Sequence, residues 1–279
     1  MVQARSLIDG VKYIAVEIKE ARKALSRRVH LSQFRGDTVE CPLCRTGLRR
    51  FRPVWKSYQR KMREYGADYP FDRLETFNAE SYSCPSCDAS DRERLYLIYI
   101  QKKMAAWPPG KPLRLVDFAP SRPLERRLRR MQGLVYRTAD LFRADVDERV
   151  DISDMPAYAD GSVDAFICSH VLEHVIDDRK AMSELARILS PDGFGIVMVP
   201  LIRGVEDTHE DPSIIEGPAR WKAFGQDDHL RQYGRHDFLE RLRAAGLRVD
   251  AFDQTYFGAD VFHRSGISPS SVLYAVSRA

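Results

Sequence analysis

Four of the five cysteines in the 279-residue chain fall in two pairs of the same form, Cys41-Pro-Leu-Cys44 and Cys84-Pro-Ser-Cys87. Two intervening residues let both thiolates of a tight turn face one ion, and two such knuckles complete a tetrahedral shell around Zn²⁺. A closed shell of four thiolates is structural, with no position left open for catalysis. Two disulfides are the other use of four cysteines, and a reducing compartment opposes it. The stretch between the knuckles, residues 45–83, is longer than a plain zinc ribbon needs, so an insert must loop out; residues 54–71 read as partly helical. A thioredoxin-like role is disfavoured, because neither pair opens a strand-to-helix unit. Cys168 lies in the apolar run Val163-Asp-Ala-Phe-Ile-Cys168 and is expected as a buried strand cysteine.

A second set of chemically competent residues lies further along. Asp140 follows Asp117 by 23 positions, near the spacing at which an acidic residue takes the ribose hydroxyls of an adenosine-containing cofactor. The turn after Asp117 reads Phe-Ala-Pro-Ser, with Ala119 and Ser121 where glycines are expected. Such a turn serves a pyrophosphate poorly and suits a cofactor without phosphates better. His170-Val-Leu-Glu-His174 spells H-x-x-E-H, a zinc-protease helix signature. Its position directly after a buried strand, without a separate third ligand, opposes that reading. Residues 201–237 form a long polar and aromatic segment placed where a lid over a substrate mouth would attach. Within it His209 or His229 is a candidate general base, with Asp228 orienting a ring. A metal set of His209, Asp211, Asp228 and His229 is the alternative use of those residues.

These residues need elements to position them. Leu7, Val11, Ile14, Ile18, Ala21 and Leu25 recur in steps of four and three, which predicts an amphipathic helix within residues 1–30 that docks on the protein or on a partner chain. Ser90 to Glu93 predicts a capping box opening a helix that lasts until Pro108-Pro109-Gly110. Strands are predicted at 113–119, 135–140, 150–152, 163–168 and 195–199, with helices over 123–128 and 178–189 between them. That alternation calls for an α/β fold, a Rossmann-like doubly wound and mostly parallel sheet, which binds ligands at the carboxyl ends of its strands. A helix at 238–245 is followed by strands at 247–252 and 272–277 with no helix between them, which predicts an antiparallel pair at one edge. The expected organisation is the helix over 1–30, a zinc-binding module over 31–90 and a catalytic domain over 91–279.

Composition narrows the class. Hydrophobic residues make up 44% and charged residues 30%, an ordinary globular balance. No apolar run reaches the ~18 residues of a membrane span, and the first residues lack the pattern of a secretory signal, so a cytoplasmic protein is expected. The net charge of +4 divides unevenly: residues 1–110 carry 21 Lys and Arg against 13 Asp and Glu, while the remainder is net acidic. The basic half could meet an acidic partner, although solvated helix faces explain much of such charge.

The segments LVDFAPS (115–121), TADL (138–141), VDISDMPAYADGSVDAFICSHVLEHV (150–175) and AMSELARILSPDGFGIVMVP (181–200) resemble class I S-adenosylmethionine-dependent methyltransferases, specifically the type 11 group. The resemblance covers residues 111 to about 200 in the family's order and implies a seven-stranded sheet and S-adenosylmethionine as cofactor. By motif position, Asp117 matches the acidic residue of the first motif and Ala119 and Ser121 line the methionine side. Asp140 takes the ribose, Asp151 and Ile152 the adenine, and Ser169 and His170 stand beside the transferable methyl. His170, His209 and His229 are the candidate catalytic residues. The expected acceptor is an oxygen or nitrogen of a small molecule or carbohydrate. Two alternatives stand beside it: an RNA methyltransferase whose basic half tracks phosphates, and a binding protein whose glycine-poor turn has lost the cofactor.

Overall fold

Leu113–Phe118 and Val163–Ser169 are buried almost throughout, as central parallel strands covered by helices on both faces must be. The computed structural model describes residues 31–54, 60, 63–66 and 71–279. The predicted helix over 1–30 and parts of the insert lie outside the described residues. The elements in chain order are β1 (Arg35–Glu40), β2 (Gly47–Leu48), α1 (Asp91–Ala105), β3 (Leu113–Phe118), α2 (Arg122–Leu128), β4 (Leu134–Asp140), β5 (Glu148–Arg149), β6 (Val163–Ser169), α3 (Asp178–Ile188), β7 (Leu189–Met198), β8 (His209–Glu210), α4 (Gly217–Phe224), β9 (Arg231–Gln232), α5 (Arg235–Ala244), β10 (Leu247–Phe252), α6 (Gln254–Phe257), α7 (Ala259–Arg264) and β11 (Leu273–Arg278).

Seven strands form one sheet in the order β10-β11-β7-β6-β3-β4-β5. It is parallel from β5 to β7, and β11 and β10 add on antiparallel. This is the α/β, mostly parallel, doubly wound sheet with a C-terminal antiparallel pair that the strand and helix pattern predicts. The chain winds outward from β3 through β4 to β5, then returns to lay β6 on the other side of β3. The reversal between β3 and β6 is the topological switch point, where such sheets open a crevice at their carboxyl ends. Among the described residues no helix is long and apolar enough to cross a membrane.

Local signals account for most element boundaries. The capping box that opens α1 is formed in full, with Ser90 Oγ accepting from Glu93 N–H and Glu93 Oε2 accepting from Ser90 N–H. Pro123 sits in the first turn of α2, where its missing N–H costs nothing. Asp177 caps α3 by accepting from Lys180 N–H at 2.9 Å, and Ala181, Met182, Leu185 and Ile188 face the sheet.

Three expectations are corrected. The third strand lies at Glu148–Arg149 rather than 150–152, because the Asp151 carboxylate accepts from Ser153 N–H and Oγ–H and turns the chain out of the ladder. β7 begins at Leu189, six residues before the predicted start, since the Ser-Pro-Asp-Gly stretch is absorbed as a register shift against β6 instead of forming a free turn. The edge strands β10 and β11 are separated by two short helices, α6 and α7, the first capped by Asp253 accepting from Thr255 N–H. Their pairing is antiparallel all the same.

The cysteine-bearing segment shares the core of the sheet. Phe34, Leu43, Leu48 and Phe51 belong to the same buried cluster as Leu95, Phe118 and Ile167. Arg94 of α1 joins the two parts. Its side chain is fully buried, and all five N–H donors reach backbone carbonyls: Nε to Ser265, Nη1 to Tyr82 and Ala89, Nη2 to Ser81 and Gly266. The guanidinium lies 3.9 Å over the Phe51 ring. Gly266 is required there, since a Cβ would fall 2.3 Å from that ring. Replacing Arg94 with Met takes the donor from the Ser81 and Ser265 carbonyls and leaves those of Tyr82, Ala89 and Gly266 with one donor each, Asp91 N–H, Cys84 N–H and Asn78 Nδ2. The variant is expected to lose about 3–5 kcal/mol in urea unfolding, and Arg94→Lys, with three donors and no fork, is expected to recover only part of it.

Candidate active site and cysteine cluster

The four cysteines converge although residues 45–83 separate the pairs. Cys41 Sγ lies 3.7 Å from Cys87 Sγ, and Cys44 Sγ 3.8 Å from Cys84 Sγ. None is in a disulfide. The two turns share one construction: the N–H of the residue after each second cysteine, Arg45 or Asp88, donates to the carbonyl of the first, and both residues take a left-handed φ, 57° and 67°. Four thiolates on a tetrahedron around an ion with bonds of about 2.3 Å stand about 3.8 Å apart, so the arrangement fits zinc.

The second knuckle leads directly into α1, whose first turns reach the carboxyl ends of β3 and β6. Arg92 bonds His170 Nε2, Glu93 accepts from Ser121 Oγ–H, and Tyr96 OH is 2.8 Å from Ser169 Oγ. Arg126 of α2 donates to the Cys87 carbonyl at 3.1 Å. The cysteine cluster is thus wired into the crevice that the sheet opens.

That crevice holds a cleft of about 800 Å³ lined by Phe118, Ala119, Asp140, Asp151, Ile152 and His170, among others. β3 is followed by Ala119 at φ 56° and β6 by His170 at φ 57°, conformations that cost an ordinary residue roughly 1–2 kcal/mol each. Both turn the chain sharply off the sheet edge. Asp140 is half-buried, and its Oδ1 accepts from the N–H groups of Phe142 and Arg143. Asp117 is buried beneath the turn, and its Oδ2 accepts from Tyr136 OH at 2.7 Å. Burial pushes the Asp117 carboxyl up to about 7; the Tyr136 bond opposes that rise, as does Arg143, while Glu93 and Glu125 add to it.

A smaller cavity of about 240 Å³ adjoins the first, and His170 lines both. Its walls include Leu74, Glu75, Phe77, Arg92, Met198 and His229. Arg92 can only donate, so His170 Nε2 accepts and the ring proton sits on Nδ1, 3.1 Å from Glu173 Oε1. Burial and the Arg92 charge hold His170 down to about 4, which keeps it neutral near pH 7. His229 is buried and its Nδ1–H donates to the Phe224 carbonyl at 2.9 Å. His209 is exposed on β8, packs its ring on Phe224, and lines neither cavity. The structure therefore brings His170 and His229 to the site and leaves His209 outside it.

Residues 132–197, from just before β4 to the end of β7, match the family model described as a methyltransferase domain. The chain carries a methyltransferase domain. No curated protein matches the chain. Solved structures similar to it include the putative methyltransferase of Haloferax volcanii in complex with the Trm112 activator, at 18% identity over 67% of this chain and 92% of that one, TM-score 0.42. The [4+2]-cyclase SpnF is similar at 18% identity over 82% and 97%, TM-score 0.42. The YcgJ protein of Bacillus subtilis is similar at 15% over 66% and 99%, TM-score 0.42.

Within the methyltransferase domain the H-x-x-E-H stretch forms no protease helix. His170 is left-handed and Leu172–His174 is a single 3-10 turn, so the two histidines do not share an α-helical face. Asp211 is half-buried and lines neither cavity, and no four-residue set joins it to His209, Asp228 and His229 among the described residues. The 201–237 segment serves both cavities: Gly225, Gln226 and His229 line the smaller, and Arg220, Asp228 and Leu230 the larger. Arg92 and Phe142 belong to the site and carried no motif by which sequence reasoning singles them out, while Glu173 and Leu141 lay within quoted motifs without being assigned a role. An aromatic following the acidic tip of a strand was the available sign for Phe142, which is 82% exposed.

With zinc held by the four thiolates, Cys44→Ser is expected to lower its affinity and the protein's stability by several kcal/mol, and chelator treatment of the unsubstituted protein should bring its melting temperature to the same value. A folded-state Asp117 that holds its proton up to about pH 7, while the unfolded chain loses it near 4, makes the protein less stable as pH rises between those values. Asp117→Asn removes that dependence, so unfolding scans should show the variant gaining on the unsubstituted protein from pH 4 to 7, on the order of a few kcal/mol.

Proposed function

We propose that the protein transfers a methyl group from S-adenosylmethionine to an oxygen or nitrogen of a small-molecule or sugar-type acceptor. The observation that carries this reading is the pair of adjoining cavities at the carboxyl ends of the strands, about 800 and 240 Å³, that share His170. A donor in the larger cavity would present its methyl beside His170 to an acceptor held in the smaller one. In this reading Asp140 takes the ribose, Asp151 and Ile152 bracket the adenine, and Ala119, Ser121 and Glu93 surround the methionine end. Catalysis would come from in-line positioning of the two reactants in a site shielded from water. His170 has Nε2 engaged by Arg92 and turns Nδ1 toward Glu173, and serves to position the wall between donor and acceptor. His229 faces the acceptor side and marks where the acceptor's polar group is received.

The small cavity supports a compact acceptor over a nucleic-acid strand, and its mixed lining of Glu75, Arg92 and apolar side chains suits a hydroxylated or amine-bearing molecule. In the same reading residues 31–90 form a structural zinc module that holds the first turn of α1 over the cofactor, and residues 91–279 form the catalytic unit. The residues present fit both groups: four thiolates at tetrahedral spacing for zinc, and a half-buried carboxylate at the tip of β4 for a ribose diol.

Calorimetry with S-adenosylhomocysteine tests the reading. The unsubstituted protein should bind, and Asp140→Asn, which keeps the Oδ1 that caps the turn, should bind at least tenfold more weakly, about 1.4 kcal/mol. No binding heat from a folded protein would overturn it.

A further inference from the structure

Glu173 is the least explained side chain of the site. Its residue is 0% exposed, and neither carboxylate oxygen has a hydrogen-bond partner. The His170 ring approaches Oε1 at 3.1 Å, off hydrogen-bonding geometry. His229, 2% exposed, has its Nδ1–H committed to the Phe224 carbonyl and its Nε2 lone pair unpartnered. A buried carboxylate that meets only the ring of His170, beside a buried imidazole lone pair with no partner, costs several kcal/mol unless something binds between them.

We propose that Glu173, His174 and His229 form a site for a divalent transition metal, separate from the cysteine cluster. One donor atom of each lies within 4.8 Å of the others. Two imidazoles and a carboxylate are the ligand set that zinc-class dications take when a position is kept open for a further ligand. Each ligand is held from behind as metal ligands are. His229 Nδ1–H is fixed by the Phe224 carbonyl, and His174 Nδ1 lies 3.4 Å from Asp228 Oδ2. The Glu173 carbonyl accepts from Leu230 N–H at 2.8 Å. The rings of His174 and His229 meet edge to face at 4.7 Å. Arg231, buried and bonded to the carbonyls of Leu172, Val175 and Ile176, locks the turn that carries two of the three ligands.

His229 lines the acceptor cavity and His174 the cofactor cleft, so the site stands in the wall between them. Its open position would receive a hydroxyl or amine of the acceptor and hold it facing the methyl donor. That use rests on the methyltransferase reading; metal binding itself does not.

Titration of the full chain with Co²⁺, after its cysteine cluster has been loaded with zinc, separates the two sites. Nitrogen and oxygen ligands give Co²⁺ weak visible bands, whereas thiolates add an intense near-ultraviolet band. The expected result is one further equivalent bound with visible bands alone. Glu173→Gln and His229→Gln should each weaken it at least tenfold, and His263→Gln, on exposed α7, should not change it. A folded, unsubstituted protein that takes up no Co²⁺ beyond the cysteine cluster overturns the proposal, as do visible bands that persist in both ligand variants. Since the readout is metal uptake, a failure here leaves binding of S-adenosylhomocysteine untouched.

Discussion

The buried cation of Arg94 ties the cysteine-bearing segment to the sheet domain. Arg94 is removed from water, which is costly for a charge without compensation. The compensation is complete: five N–H donors meet five carbonyls, and the guanidinium face meets an aromatic ring. Those carbonyls come from the chain around the second knuckle and from the loop between α7 and β11. The interaction therefore fixes where the cysteine-bearing segment and the end of the chain sit relative to α1. Everything that α1 delivers to the site depends on that placement. With Arg94 fixed in the same first turn, Arg92 reaches His170 and Glu93 reaches Ser121.

This arrangement gives a reason for a four-cysteine cluster beside the crevice. A helix start has unpaired N–H groups and a tendency to fray. Here the start of α1 carries Arg92 and Glu93, the two side chains that touch the ends of β6 and β3. The tight Cys84–Cys87 turn immediately before the helix, with Asp88 N–H donating to the Cys84 carbonyl, together with the capping box of Ser90 and Glu93, removes the freedom that would otherwise blur those contacts. The cysteine cluster can thereby govern the geometry of a site it never touches.

Much of this was legible in the sequence, and the parts that were not share a cause. The cysteine pairs declared themselves by spacing, because one ion imposes that spacing on the chain. The central strands did so by unbroken apolar runs such as Val163 to Cys168, and α1 by its capping box. Ala119, Asp140 and His170 were placed at the cleft through the order of motifs along the strands. The roles of Glu173 and Arg94 were not legible, since each needs a partner far along the chain, His229 beside Glu173 and the Ser265 and Gly266 carbonyls on Arg94. β5 was displaced because the side chain of Asp151 competes for its own backbone, a local bond that hydrophobic pattern does not register. His209 and His229 were equivalent as letters in a polar segment; only burial distinguishes them.

The charge imbalance takes on a different meaning in three dimensions. A surplus of arginine in the first 110 residues resembles a surface for phosphates when it is only counted. In the folded protein several of these arginines are spent internally. Arg94 is enclosed, Arg92 faces His170, Arg52 bridges the Cys84 carbonyl and Asp88, and Arg73 donates to the Arg203 carbonyl. An arginine that satisfies carbonyls has its donors committed and its charge screened from a distant phosphate. These arginines thus act as wiring between a segment with little secondary structure of its own and the domain it caps, while Arg35, Arg45, Arg49 and Arg50 stay exposed. The same economy explains why arginine rather than lysine predominates at these junctions: a planar fork with five donors can join several loops at once, whereas an ammonium joins them only as a point charge.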